Sequence, residues 1–177
     1  TVDYPASFMM VASMNPCPCG YYNHPEKDCV CSPGVVQKYL NKISGPLLDR
    51  IDLHVEVTPV SFNELSTIAA GESSNDIRGR VIEARKIQEN RFASNNGIHA
   101  NAQVSSKILK EICEINQEGK DLLKKAMDRL GLSARAYDRI LKVARTIADL
   151  ENAENIQTSH LAEAIQYRSL DREGWLG

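Results

Sequence analysis

Between Asn15 and Gly34 the chain carries four cysteines interleaved with Pro16, Pro18, Gly20, Pro25 and Pro33. Proline lacks a backbone donor and fixes φ, so neither a helix interior nor a sheet ladder runs through such a stretch. This loop splits the chain into two unlike parts. In front of it, Ser7–Met14 is a short apolar run that reads as a buried strand. The run ends at Asn15-Pro16, where further ladder pairing is blocked. Behind the loop, a short helix is expected around Val35–Ile43 and a turn at Ser44-Gly45-Pro46. Ile51–Val57 then alternates apolar and polar side chains and reads as a second strand.

From Ser61 onward the spacing is helical. Helices are expected over 76–92, 105–113, 115–130, 134–150 and 159–169, separated by Asn, Gly and Ser breaks. Ser133 and Thr158 or Ser159 are expected N-caps, and Gly131 a helix stop. Two strands do not make an independent sheet. The expected fold is therefore mainly α, with two short strands left over from a larger sheet in residues 1–58 and a helical bundle in residues 59–177; Thr1 in place of a start methionine fits such a fragment.

Apolar residues make up 42% and charged residues 25%, which excludes disorder as the default state. The apolar runs are too short to span a bilayer. No basic-then-apolar leader opens the sequence, and a cytoplasmic location without membrane partners is expected. Charge is segregated: residues 1–77 carry 4 basic and 9 acidic side chains, 78–145 carry 15 and 8, and 146–177 carry 2 and 6. The basic middle could attract nucleic acid or a phosphate, although acids interleaved at helical spacing equally describe a solvated face.

Cys17-Pro18-Cys19 and Cys29-Val30-Cys31 form two C-x-C pairs whose four thiolates could complete a structural zinc shell. Cross-pair disulfides are the alternative, and His24 is a further nearby donor. Four protein ligands would leave no open position, which argues against catalytic zinc. Cys113 falls on an apolar helix face and reads as core.

Arg50 stands between Asp49 and Asp52 at an element junction, suited either to a local ion pair or to reaching a phosphate on a neighbouring subunit. Arg135 opens a helix on which Arg135, Arg139 and Lys142 share one face, with Arg145 at its flank. Tyr137, Ile140, Leu141, Ala144, Ile147 and Ala148 form the opposite, core stripe. A cation at a helix N-terminus opposes the dipole, and an anion bound there would remove the conflict.

Three stretches carry a family likeness: Val11–Gly20, Lys42–His54, and Leu132–Arg135 through Ala148-Asp149-Leu150. Together they resemble the magnesium chelatase-like AAA+ ATPases of the competence protein ComM (YifB) family. The resemblance implies the end of an AAA+ nucleotide-binding core followed by its helical lid. It implies that Asn15 is sensor 1, Arg50 an arginine finger acting in trans, and Arg135 sensor 2. ATP and Mg²⁺ are the implied cofactors of the full-length protein, beside the zinc expected at Cys17, Cys19, Cys29 and Cys31. A homo-hexamer that binds DNA and drives branch migration in natural transformation is the implied assembly. No G-x-x-x-x-G-K-[ST] phosphate loop occurs in the chain, since Gly71 and Gly79 lack the following Gly-Lys pair, so these residues alone are expected to be inactive. A stand-alone zinc-stapled helical module binding nucleic acid or protein, and a magnesium chelatase subunit, are the alternatives.

Overall fold

The computed structural model describes residues 2, 4, 8–57, 59–60 and 71–168. Ser7, Thr58, residues 61–70 and the expected last helical residue, Ser169, lie outside the described residues.

The apolar periodicity becomes helix close to where spacing places it. The elements are α1 (Pro33–Leu40), α2 (Gly45–Leu48), α3 (Ser74–Arg91), a 3-10 turn (Asn101–Gln103), α4 (Ser106–Ile112), α5 (Gln117–Leu130), α6 (Ala134–Leu150) and α7 (Thr158–Gln166). The chain divides into two compact units, residues 1–42 and 43–177. The protein is mainly helical, and no strand forms among the described residues.

Side chains cap the starts of α3, α5 and α6, the last at the expected Ser133. Ser73 accepts from the Asp76 N–H, Asn116 from Gly119 and Ser133 from Ala136, each satisfying one orphan donor of a first turn. Gly131 closes α5 in the left-handed region at φ 62°, where glycine has no Cβ penalty. The last helix starts at Thr158, one residue beyond its cap Gln157, so neither Thr158 nor Ser159 is the N-cap. There the His160 ring nitrogen Nδ1 accepts the Gln157 N–H at 3.0 Å.

The core of the second unit is organised on α6, which packs against α7, α3, α4 and the 3-10 turn, while α5 packs on α7. Ile140, Ala144 and Ala148 are fully buried on the predicted stripe, joined by Leu109, Leu123 and Leu161 from the surrounding helices. Each buried Leu or Ile contributes about 1.5–3 kcal/mol of transfer free energy. Cys113 joins this core, its thiol donating to the Leu141 carbonyl at 3.6 Å.

Neither expected strand forms among the described residues. Phe8, Met9 and Val11 are 75%, 88% and 85% exposed in a segment without regular structure. An extended segment becomes a strand only by pairing, and no neighbouring strand exists among the described residues to pair with. Over 51–57 the burial phase is the reverse of that expected. His54 is buried whereas Leu53, Val55 and Val57 are exposed. Its N–H donates to the Tyr167 carbonyl at 2.9 Å and its Nε2 lies 3.2 Å from the Leu48 carbonyl. The Ile51 carbonyl accepts from Arg168. This segment docks on the end of α7 through its backbone, so side-chain alternation does not govern it.

Candidate functional site

The cysteine loop turns back on itself at once: the Gly20 N–H donates to the Cys17 carbonyl at 3.0 Å. His24 Nδ1 accepts the N–H groups of Glu26 and Lys27, which closes the far side of the loop and removes that nitrogen as a ligand. The result brings four sulfurs together. Cys17 Sγ lies 3.3 Å from Cys19 Sγ and 3.7 Å from Cys29 Sγ, with Cys19 and Cys29 3.6 Å apart. Cys31 completes a set whose sulfurs all lie within 4.8 Å of one another. All four are free thiols, far beyond disulfide bonding distance.

A tetrahedral zinc with Zn–S bonds of about 2.3 Å needs sulfur–sulfur edges of about 3.8 Å. Two of the separations, 3.6 and 3.7 Å, match that edge, and the Cys17–Cys19 separation of 3.3 Å is shorter. Proton affinity inside the cluster is split. Backbone N–H groups of Tyr21 and Val30 and the neighbouring thiols hold Cys19 down at about 6, even though lost hydration opposes this. At Cys29 the Cys31 N–H pulls downward, but lost hydration and the sulfurs of Cys19 and Cys17 push the thiol up to about 12. Four sulfurs crowded together without a cation resist full ionisation; a divalent metal would relieve that repulsion.

In the second unit, the junction of α2 and α6 holds the two arginines singled out by sequence. Arg50 is exposed, its Nη1 donating to the Pro46 carbonyl one turn back at 2.6 Å. Asp49 accepts from Ser133 Oγ at 2.7 Å, so the capping hydroxyl of α6 is also tied to the segment that carries Arg50. The other Asp49 oxygen lies 3.7 Å from Arg135 Nη1, a loose contact for a side chain that remains 67% exposed. The carboxylate thus supplies negative charge at the N-terminus of α6, easing the conflict an arginine creates there. Arg139 reaches the same segment: its Nη2 donates to the Arg50 carbonyl at 2.9 Å. Its Nε sits 2.8 Å from Asp52 Oδ1, but the N–H is not aimed at that oxygen, so this contact is an ion pair without a hydrogen bond. Asn15 is exposed in the other unit.

Arg145 differs from expectation. It does not flank the basic face but is 3% exposed, donating through Nε to Asp149 Oδ1 at 3.1 Å and through its Nη atoms to the Glu154 and Ala153 carbonyls. Asp149 also accepts both Nη atoms of Arg91, and Asn101 Nδ2 at 2.8 Å. Angular position on a helical wheel cannot register this partner, but the i,i+4 spacing of Arg145 and Asp149 is a readable signal of it.

The magnesium chelatase subunit ChlI C-terminal profile matches residues 71–168, more than half of the chain, and the ChlI profile matches residues 1–65. The chain is 42% identical over 172 residues to the competence protein ComM of Haemophilus influenzae. The chain is a ComM-like member of the magnesium chelatase family. That alignment covers 97% of the chain and 32% of the relative. The uncharacterized protein YifB of Escherichia coli is 42% identical over 174 residues, covering 97% of the chain and 33% of the relative. An uncharacterized protein of Mycobacterium tuberculosis is 37% identical over 165 residues, covering 93% and 32%. The chain thus spans about a third of the length of the curated relatives it matches. Within the magnesium chelatase family frame, Asn15, the four cysteines and Arg50 lie in the first matched region, and Arg135 and Arg139 in the second. No helix among the described residues is long and apolar enough to cross a membrane.

Proposed function

We propose that this chain is the carboxyl-terminal part of a ComM-like AAA+ ATPase, in which residues 1–58 close the nucleotide-binding core and residues 59–177 form the lid. The observation that carries the reading is the α2–α6 junction, where two arginines stay exposed although acids stand beside them. Arg50 acts as an arginine finger on the nucleotide of the next subunit, spreading positive charge over the transferring phosphoryl group. Arg135 acts as sensor 2 at the γ-phosphate, and Asn15 as sensor 1, orienting the attacking water. ATP and Mg²⁺ are cradled outside these residues, since the chain has no phosphate loop. The exposed apolar residues of 8–14 and 53–57 support the same reading, because strands of a larger sheet would look this way without their neighbours.

The four cysteines hold one structural zinc, which stabilises a loop with little apolar material of its own. The assembled protein is a cytoplasmic hexameric motor that moves DNA branches during natural transformation, the role suggested by likeness to a competence protein. A magnesium chelatase subunit is a second reading, favoured by the family's own name. The test is ATP turnover in the full-length protein. Arg50→Ala and Arg135→Ala are each expected to lower turnover, for a finger by ~10³-fold. Undiminished turnover in either variant rejects that arginine's role.

A further inference from the structure

The family likeness gives Arg139 no role, yet its side chain contacts the Arg50 segment directly. Its guanidinium meets two groups of the same short segment: Nη2 donates to the Arg50 carbonyl at 2.9 Å, and Nε forms an ion pair with the Asp52 carboxylate at 2.8 Å. It stands on α6 one turn beyond Arg135 and is 22% exposed, so the rest of its stem is packed. Asp49, the residue before Arg50, is fastened to the cap of the same helix through Ser133. Segment 49–52 is thereby gripped by α6 at its first and its last residue, with Arg50 between.

We infer that Arg139 is a positioning residue for Arg50, making the Arg50 segment and the start of α6 one mechanical block. This rests on the reading of Arg50 as an arginine finger. An exposed arginine on a four-residue helix end has many rotamers and a mobile backbone, and only a small part of that freedom places its charge at a phosphoryl group. Fixing the Arg50 carbonyl removes the backbone share of that freedom. It also makes any displacement of α6 a displacement of Arg50. Lysine would not fully replace Arg139, because a compact ammonium on a flexible stem cannot keep a donor on the Arg50 carbonyl and charge beside Asp52 in one rigid plane.

Two readouts in the full-length protein test this. By hydrogen exchange without nucleotide, Arg139→Ala is expected to speed exchange of the Arg50 and Ile51 amides at least tenfold, while exchange in the core of α6 is unchanged. In steady-state turnover, Arg139→Ala is expected to lower kcat about tenfold with the KM for ATP within twofold, and Arg139→Lys to recover only part of it. The double variant Arg50→Ala/Arg139→Ala is expected to be no slower than Arg50→Ala. Unchanged exchange, or additive losses in the double variant, overturns the inference. So does full turnover in Arg139→Ala where Arg50→Ala is impaired, an outcome that leaves the finger reading intact. If Arg50→Ala itself turns over normally, the finger reading fails, and faster exchange in Arg139→Ala would still record the clamp. Asp52→Asn, at a carboxylate that is 63% exposed, covers the case in which Arg139→Ala does not fold. It should shift both readouts in the same direction by less, and silence in both overturns the inference.

Discussion

Cys19 and Cys113 present the same thiol in opposite surroundings. Cys19 sits where backbone N–H groups and neighbouring sulfurs hold it at about 6, and Cys113 where lost hydration pushes it up to about 12. The thiolate is the reactive form, so near neutral pH the two should differ greatly in reactivity. In metal-free folded protein, iodoacetamide is expected to modify Cys19 at least a hundredfold faster than Cys113, as read by peptide mass spectrometry. Comparable rates would show that the burial assigned to Cys113 is wrong. The sign of the stability effect follows from the same shift. A thiol raised in the folded state contributes stability that is complete below its ordinary value, near 8.5, and is lost as pH rises toward 12. Cys113→Ala should flatten that alkaline decline in thermal unfolding. At this scale the sequence was legible where apolar spacing alone decides burial, as for Cys113, which packs into the core against α6. For Arg145 only the i,i+4 partner Asp149 was legible; the Glu154 and Ala153 carbonyls of the loop after α6, and Arg91 of α3 on the same carboxylate, were not.

Among the elements, helices were legible because their hydrogen bonds are internal and their caps lie next to them in sequence. Ser133, Gly131 and the α6 stripe needed nothing from elsewhere. The strands were not, because a strand depends on a neighbour that apolar pattern cannot name. A different constraint hid at Gly119, where α5 and α7 meet. A Cβ added there would stand 2.7 Å from Leu161 Cδ1 and 3.2 Å from the capping Asn116 oxygen. Leu161 is fully buried and cannot swing away without repacking its surroundings. Gly119→Ala should therefore destabilise by about 1–3 kcal/mol in urea unfolding, despite a helix-propensity gain of up to about 1 kcal/mol. Gly119→Ala unfolding at equal or higher urea would mean that the two helices do not approach this closely.

Across the whole second unit, Asp149 is the point at which distant parts of the chain are joined. It is 2% exposed, and the guanidinium groups of Arg91 and Arg145 and the amide of Asn101 converge on it. The network ties α3, the 3-10 turn and the loop after α6 to α6. Of these, α3 depends on it most, since residues 74–83 are exposed and only Ala84 and Gln88 of that helix are buried. Two cations and one anion leave the cluster dependent on Asp149 for compensation. Asp149→Ala would strand Arg145 as a buried uncompensated charge, which costs about 3–5 kcal/mol. Arg91→Ala removes a 19% exposed cation and leaves Asp149 still paired with Arg145, so it should cost less. The two variants should also differ in where they act. Arg91→Ala is expected to raise hydrogen exchange along α3 while α5, α6 and α7 keep their protection, whereas Asp149→Ala lowers the melting temperature of the unit as a whole. If α3 keeps its protection in Arg91→Ala, apolar contacts at Ala84 suffice to hold it, and the ionic network is not what fastens this helix to the bundle.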